Sequence, residues 1–324
     1  MIKKIVVTHP LNEEIMKSLE KKFNVLVANS GDPKEIYPLI KDANGIIVRI
    51  GYLDRETIMS LNALEVIGRT GVGVDNIDLK AASEKSIPVI VTPGANTRSV
   101  AEHTLALLFA LSKDLKVNDL EMHKGNYGIR NHCKAFEVFG KILGIIGFGN
   151  IGREVAKLCS VVGMKILIYD PFVSADIVEK QGYEYTEQLD ILLQKSDAIT
   201  IHVPNIKETR GMIGLKELAL VKPHTIIVNC ARGGIIDQEA LLESLERNSI
   251  GGVGLDVFQS EPLEKNNPIL KYDNVITTPH IAGLTGEAFF AMSKMVADGV
   301  EAILSGKKWI NVVNPEVYES PKWQ

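Results

Sequence analysis

Short apolar runs alternate with helical patterns along the first third of the chain. KKIVVT (3–8) reads as a strand, NEEIMKSLEKK (12–22) as an amphipathic helix and NVLVA (24–28) as the next strand. NGIIVR (44–49), EVIGRTG (65–71) and IPVIVT (87–92) extend the series. The strand runs are continuous rather than alternating in polarity, which predicts a parallel sheet buried on both faces.

TPGANTRSVAEHTLALLFALSKDLK (92–116) breaks this rhythm: Pro93 and Gly94 make a turn, and Ser99 with Glu102 fits a capping box opening a long apolar helix. A second alternating series begins at KILGIIGFGNIG (141–152). It continues through MKILIYD (164–170), DAITIHV (197–203), HTIIVNCA (224–231), IGGVGLDV (250–257) and NVITTPH (274–280). Thr285 is placed to cap a last helix over 286–306, and that helix with the tail WINVVN follows the completed second sheet. The pattern predicts two doubly wound α/β domains, the first discontinuous over 1–98 and 286–324 and the second over 99–285.

Composition changes this picture little. With 324 residues, 45% hydrophobic and 23% charged, the chain has the ordinary make-up of a two-domain globular protein. A formal charge of −4 leaves no basic footprint for nucleic acid. The apolar stretch after Met1 ends too early for a secretory signal, and LALLFAL (105–111) is far short of a membrane span. Cys133, Cys159 and Cys230 form no CxxC pair, so neither a disulfide framework nor a metal site is expected, and a reduced cytoplasmic setting fits.

Gly147, Gly149 and Gly152 spell G-x-G-x-x-G between a strand and a helix. The first makes the tight turn, the second lets backbone amides approach a pyrophosphate, and the third allows close packing. Asp170 ends the next strand at about the expected offset of roughly 20 residues, where a carboxylate accepts from ribose hydroxyls and repels a 2′-phosphate. The cofactor read from this setting is NAD rather than NADP.

Three further side chains fall at or after strand ends, where ligands of open parallel sheets bind. Arg232 closes HTIIVNCA and precedes two glycines, in either a solvated turn or a grip on a carboxylate. Glu261 precedes Pro262 and reads equally as a turn carboxylate, and His280 equally as a loop hydrogen-bonder. Together with a hydride donor, the three make a set that reduces a 2-keto acid. His103 reads as a packed, satisfied side chain, His202 as part of an ordinary turn or of the cofactor side, and Cys230 as a small buried residue.

GRTGVGVDNIDLKAAS (68–83), GIIGFGNIGREVA (144–156), NCARGGIIDQEALL (229–242), GLDVFQSEP (254–262) and TPHIAG (278–283) resemble, in order and spacing, the D-isomer-specific 2-hydroxyacid dehydrogenases. The phosphoglycerate dehydrogenase branch is the most similar. The resemblance implies a Rossmann-type NAD domain inserted in a flavodoxin-like substrate domain, with an active site in the cleft between them. By the same resemblance Arg232 binds and polarises substrate, Glu261 supports the histidine and His280 donates the proton. Gly147, Gly149, Asn150, Ile151, Gly152, Asp170, Cys230, Ala231, Asp256 and Gly283 would contact NAD. Val72 and Gly73, with Arg49 and Arg232, would bind the substrate, of the 3-phosphoglycerate, hydroxypyruvate or glyoxylate class.

Three departures stand out. The regulatory domain common in that branch is not expected here, Asn205-Ile206 replaces a Leu-Thr pair, and Tyr127 replaces a tryptophan in a segment (123–139) resembling the homodimer arm. Arg49, Arg69 and Arg130 offer charge for a substrate phosphate or ordinary surface pairing. A non-catalytic NAD-sensing protein on the same fold is the alternative from another class.

Overall fold

The computed structural model describes residues 2–132 and 134–323, and Cys133 lies outside the described residues. The chain divides into two compact units, Met1–Asn96 with Leu284–Gln324, and Thr97–Gly283.

The first unit holds strands β1 (Lys4–Val7), β2 (Asn24–Val27), β3 (Gly45–Val48), β4 (Val66–Arg69) and β5 (Val89–Ile90). They pair in parallel in the order β2-β1-β3-β4-β5, the flavodoxin-like winding. Asn12, Asp32, Asp54 and Asp78 each accept an amide from the helix that follows, which is why those helices start where they do. Thr285 caps Gly286–Leu304 in the same way, accepting from the Ala288 amide. This last helix packs on β4 at Gly68, where an added Cβ would meet Val296 at 2.6 Å and Val300 at 3.1 Å. Beyond it the tail is tied to β5, the Val313 amide donating to the Val89 carbonyl.

The second unit holds β6 (Ile142–Ile146), β7 (Lys165–Tyr169), β8 (Glu184–Tyr185), β9 (Ala198–Ile201), β10 (Ile226–Asn229), β11 (Gly252–Leu255) and β12 (Val275–Thr277). Their order is β12-β11-β10-β9-β6-β7-β8, all parallel, the Rossmann winding with one strand added. β8 was not expected: Glu184-Tyr185 belongs to no apolar run that would mark a strand. The helix Thr97–Ser112 corrects a second expectation, because Ser99 lies inside it and caps nothing. Its hydroxyl instead donates to the Ala282 carbonyl, and Glu102 pairs with Arg98. Among the described residues no helix is long and apolar enough to cross a membrane.

Asp197 ties the N-terminal edge of this sheet. It accepts from the Ile142 amide, Lys222 Nζ at 2.8 Å and His224 Nε2 at 3.1 Å. Burial alone would raise its pKa, but these donors outweigh burial and hold the carboxyl down at about 2. A folded pKa below the unfolded value gives stability that is full above about pH 4 and is lost as pH falls toward 2. Asp197→Asn should therefore lower neutral-pH stability by about 1–2 kcal/mol and flatten the acid limb of a melting-temperature profile between about pH 4 and 2. An acid limb as steep as the parent's would count against this account.

Candidate functional site

The three loop glycines meet three different surroundings. Gly147 has φ 95°, and a Cβ there would lie 2.7 Å from the His202 carbonyl. A Cβ on Gly152 would strike the Gly147 carbonyl, so these two positions exclude side chains for reasons of the fold. Nothing lies within 4 Å of a Cβ built on Gly149. Its freedom from side-chain atoms leaves open space before the helix Asn150–Val161, whose first residues are Asn150 and Ile151. Asp170, after β7, accepts from the Phe148 amide at 2.7 Å and the Phe172 amide at 2.8 Å, which fixes its carboxylate beside the loop.

β10 delivers Cys230, Ala231 and Arg232 in a turn braced by Asn229. The Asn229 side chain donates to the Arg232 carbonyl and accepts from the Ala231 amide, both at 2.9 Å. The guanidinium of Arg232 donates to the Ala231 carbonyl at 2.7 Å. The two following glycines have separate causes. Gly233 sits against the Phe258 carbonyl where no Cβ fits, and Gly234 is left-handed at φ 76°. Cys230 is buried, which pushes its thiol up to about 12 and leaves no thiolate to act as nucleophile. His202 is also buried, pushed down to about 3, and so is neutral.

Glu261 and His280 meet directly, His280 Nδ1 to Glu261 Oε2 at 2.7 Å, while Glu261 Oε1 accepts the Phe258 amide at 3.0 Å. Burial would raise the Glu261 carboxyl, yet the His280 and Phe258 hydrogen bonds and the charges of His280 and Arg232 hold it below its ordinary value. It is ionised at neutral pH. With Nδ1 engaged, the imidazole edge left for a ligand is Nε2. His280 itself has φ 55°, a left-handed backbone unusual for a residue with a Cβ.

Asp256, expected to face the cofactor, is fully buried at 0% exposure and has both oxygens engaged within the protein. It accepts from the Thr278 hydroxyl and from the Ile281 and Ala282 amides. His103 joins this group through Thr278 Oγ1 at 3.0 Å, so it is satisfied as expected. Gly283 ends the segment. Neither Thr278 nor the loop-facing role of His103 stood out in the sequence, because their partners are remote in the chain.

In the other unit, Gly71 (φ 138°) donates its amide to Thr92 and turns the chain into Val72 and Gly73, with the Val72 side chain half exposed. Arg49 lies over the Phe289 ring at 4.6 Å and donates to the Pro10 carbonyl, and Arg69 donates to the Arg49 and Thr70 carbonyls. Arg130 stacks on Tyr127 in an exposed turn of 3-10 helix.

Among the described residues no cluster of His, Cys, Asp or Glu could hold a metal. The open Gly149, the helix start and the Asp170 carboxylate do fit a dinucleotide: amides for the pyrophosphate and an acceptor for ribose.

The chain resembles known proteins along nearly its whole length. A family model described as D-isomer specific 2-hydroxyacid dehydrogenase, NAD binding domain, matches residues 105–282. The chain is 43% identical over 312 residues to a D-3-phosphoglycerate dehydrogenase of Methanocaldococcus jannaschii, covering 96% of this chain and 59% of that one. The chain thus spans about three fifths of that relative's length. A glyoxylate reductase of Korarchaeum cryptofilum is 34% identical, with 97% of this chain and 96% of that one covered. Among solved structures, a D-lactate dehydrogenase from Aquifex aeolicus complexed with NAD and lactic acid superposes with a TM-score of 0.85. It has 32% identity and coverage of 94% and 96%.

Asp170 should set the choice between dinucleotides. A hydrogen bond to a charged group contributes roughly 1.5–3 kcal/mol, so kcat/KM with NADH should exceed that with NADPH about tenfold or more. Equal values in a steady-state comparison would remove Asp170 from this role.

Proposed function

The chain belongs to the D-isomer-specific 2-hydroxyacid dehydrogenase family, and on that premise we propose that it is an NAD-dependent enzyme interconverting a small D-2-hydroxy acid and its 2-keto acid. The observation that supports this most is the 2.7 Å His280–Glu261 hydrogen bond, which leaves Nε2 for chemistry at a sheet edge that also carries Arg232 and the glycine loop. When bound, the nicotinamide supplies or accepts the hydride. His280 protonates the carbonyl oxygen from Nε2 during reduction and takes the proton back during oxidation. Ionised Glu261 orients the ring and favours a proton on both nitrogens. Arg232 holds and polarises the substrate, its turn fixed by Asn229. Cys230, Ala231 and Gly283 line the cofactor side, and the Val72 and Gly73 amides receive the substrate carboxylate.

Arg49 favours a substrate with a second negative charge. Among the described residues its guanidinium has no carboxylate within ion-pair distance; its contacts are a carbonyl and an aromatic ring. The substrate class proposed is therefore 3-phosphoglycerate and its keto acid ahead of hydroxypyruvate and glyoxylate. We also assign a homodimer. The helix Leu115–His123 buries no residue, and Leu115, Met122, Tyr127 and Phe139 expose apolar surface in the same stretch. A cytoplasmic setting is in keeping with Cys159 and Cys230, both free thiols.

A spectrophotometric panel of 3-phosphohydroxypyruvate, hydroxypyruvate and glyoxylate with NADH tests the reading. At least one should be reduced, and His280→Ala should lose about 10²–10⁴-fold in rate while still binding NADH. NADH binding without turnover of any substrate in a wide 2-keto acid panel would instead make the protein a sensor.

The pH dependence has a fixed sign. Glu261→Gln removes the negative charge that favours the protonated ring, so the alkaline limb of keto-acid reduction should move to lower pH. A limb that stays put or moves up would show that Glu261 does not act through His280.

A further inference from the structure

The five residues Thr278 to Ala282 carry His280, and the protein grips them from two sides. On one side is the helix Thr97–Ser112. Ser99 and His103 stand four residues apart on one face of it. Ser99 Oγ donates to the Ala282 carbonyl at 2.7 Å, and His103 Nε2 meets Thr278 Oγ1 at 3.0 Å. On the other side is Asp256, just past β11. Its Oδ1 accepts from Thr278 Oγ1 at 2.6 Å and from the Ile281 amide at 2.9 Å, its Oδ2 accepts from the Ala282 amide at 2.8 Å, and its carbonyl accepts the His280 amide at 2.8 Å.

The hydrogen bonds impose an order on the protons. The Thr278 hydroxyl gives its only hydrogen to the buried carboxylate, so it can meet His103 only as an acceptor, and Nε2 of His103 must carry a proton. The chain runs His103 to Thr278 to Asp256 and ends on a charge with no solvent exposure. A left-handed backbone at a non-glycine residue is unfavourable and persists where the surroundings over-determine it. At His280 these contacts are the over-determination.

We propose that His103, Thr278 and Asp256 form a buried positioning chain for the proton donor, holding His280 in its left-handed conformation so that Nε2 is presented to the reacting oxygen. The proposal rests on the reading of His280 as that donor. It gives Asp256 a task in the protein's own frame. It also makes the helix Thr97–Ser112 part of the catalytic apparatus without contact with substrate. Glu261 sets the ring's charge and tautomer through Nδ1, whereas this chain sets where the ring is carried. The two act on separate observables: loss of Glu261 moves the pH limbs, and loss of the chain lowers the rate at every pH.

Thr278 gives the test its sharpest variant pair, because valine matches its shape without the hydroxyl and serine keeps the hydroxyl. For Thr278→Val, kcat should fall about 10- to 100-fold, the scale of a misplacement of about 1 Å. The NADH dissociation constant should stay within about twofold and the pH limbs should not move. Thr278→Ser should recover most of the rate. His103→Leu against His103→Gln, whose amide can donate to the same oxygen, should repeat the pattern, and serves if the valine variant does not fold. Unchanged kcat in Thr278→Val or His103→Leu, or a loss confined to NADH affinity, would overturn the proposal. So would serine and glutamine variants as slow as their apolar counterparts. If His280→Ala itself keeps full activity, the donor assignment has failed; if only the Thr278 and His103 variants are silent, the positioning chain alone has failed.

Discussion

Parallel pairing is the constraint from which the rest follows. Every strand of each sheet runs the same way, so all strand-to-helix turns of a sheet collect at one edge and all returning turns at the other. Residues separated by long stretches of chain, such as Gly147, Arg232, Glu261 and His280, come to one rim because each follows a strand's carboxyl end. No local interaction among them is needed for that. The interior is correspondingly apolar, with β9, β10 and β11 buried along their whole length, while the charged groups stand at the rims.

The two rims of the second sheet use charge differently. At the amino rim Asp197 is paired with Lys222 and His224 and knits strand starts together, so its ionisation serves stability. At the carboxyl rim Glu261 is paired with His280 through Nδ1 and with the Phe258 amide, so its charge sits at the edge where ligands of open parallel sheets bind. Asp256 lies between these cases: it is buried as deeply as a core residue, yet it accepts from donors on either side of His280. Satisfying such a carboxylate with amides lets a loop be stiff without a disulfide or a metal.

What could be read ahead of the structure was whatever has a local physical cause. The strands show as apolar runs, the cap at Thr285 as a polar residue before a helix, and the glycine loop as a turn with a fixed spacing. What escaped depends on partners far along the chain. Ser99 looked like a cap because serine three residues before glutamate usually is one; its acceptor, Ala282, could not be seen from position 99. β8 escaped because Glu184-Tyr185 carries no apolar run and is a strand only by pairing with its neighbour β7. The left-handed backbone at His280 has no sequence mark, since no glycine announces it.

Gly149 differs from the glycines around it in one respect that matters for how such a loop can vary. At Gly147 and Gly152 a side chain would collide with the protein's own backbone, so change there is felt first by the fold. At Gly149 a methyl group would project into open space and be felt only by whatever occupies that space. Folding and ligand recognition, inseparable at the neighbouring glycines, come apart at this position: a lineage that lost its dinucleotide could drift there while keeping its architecture intact.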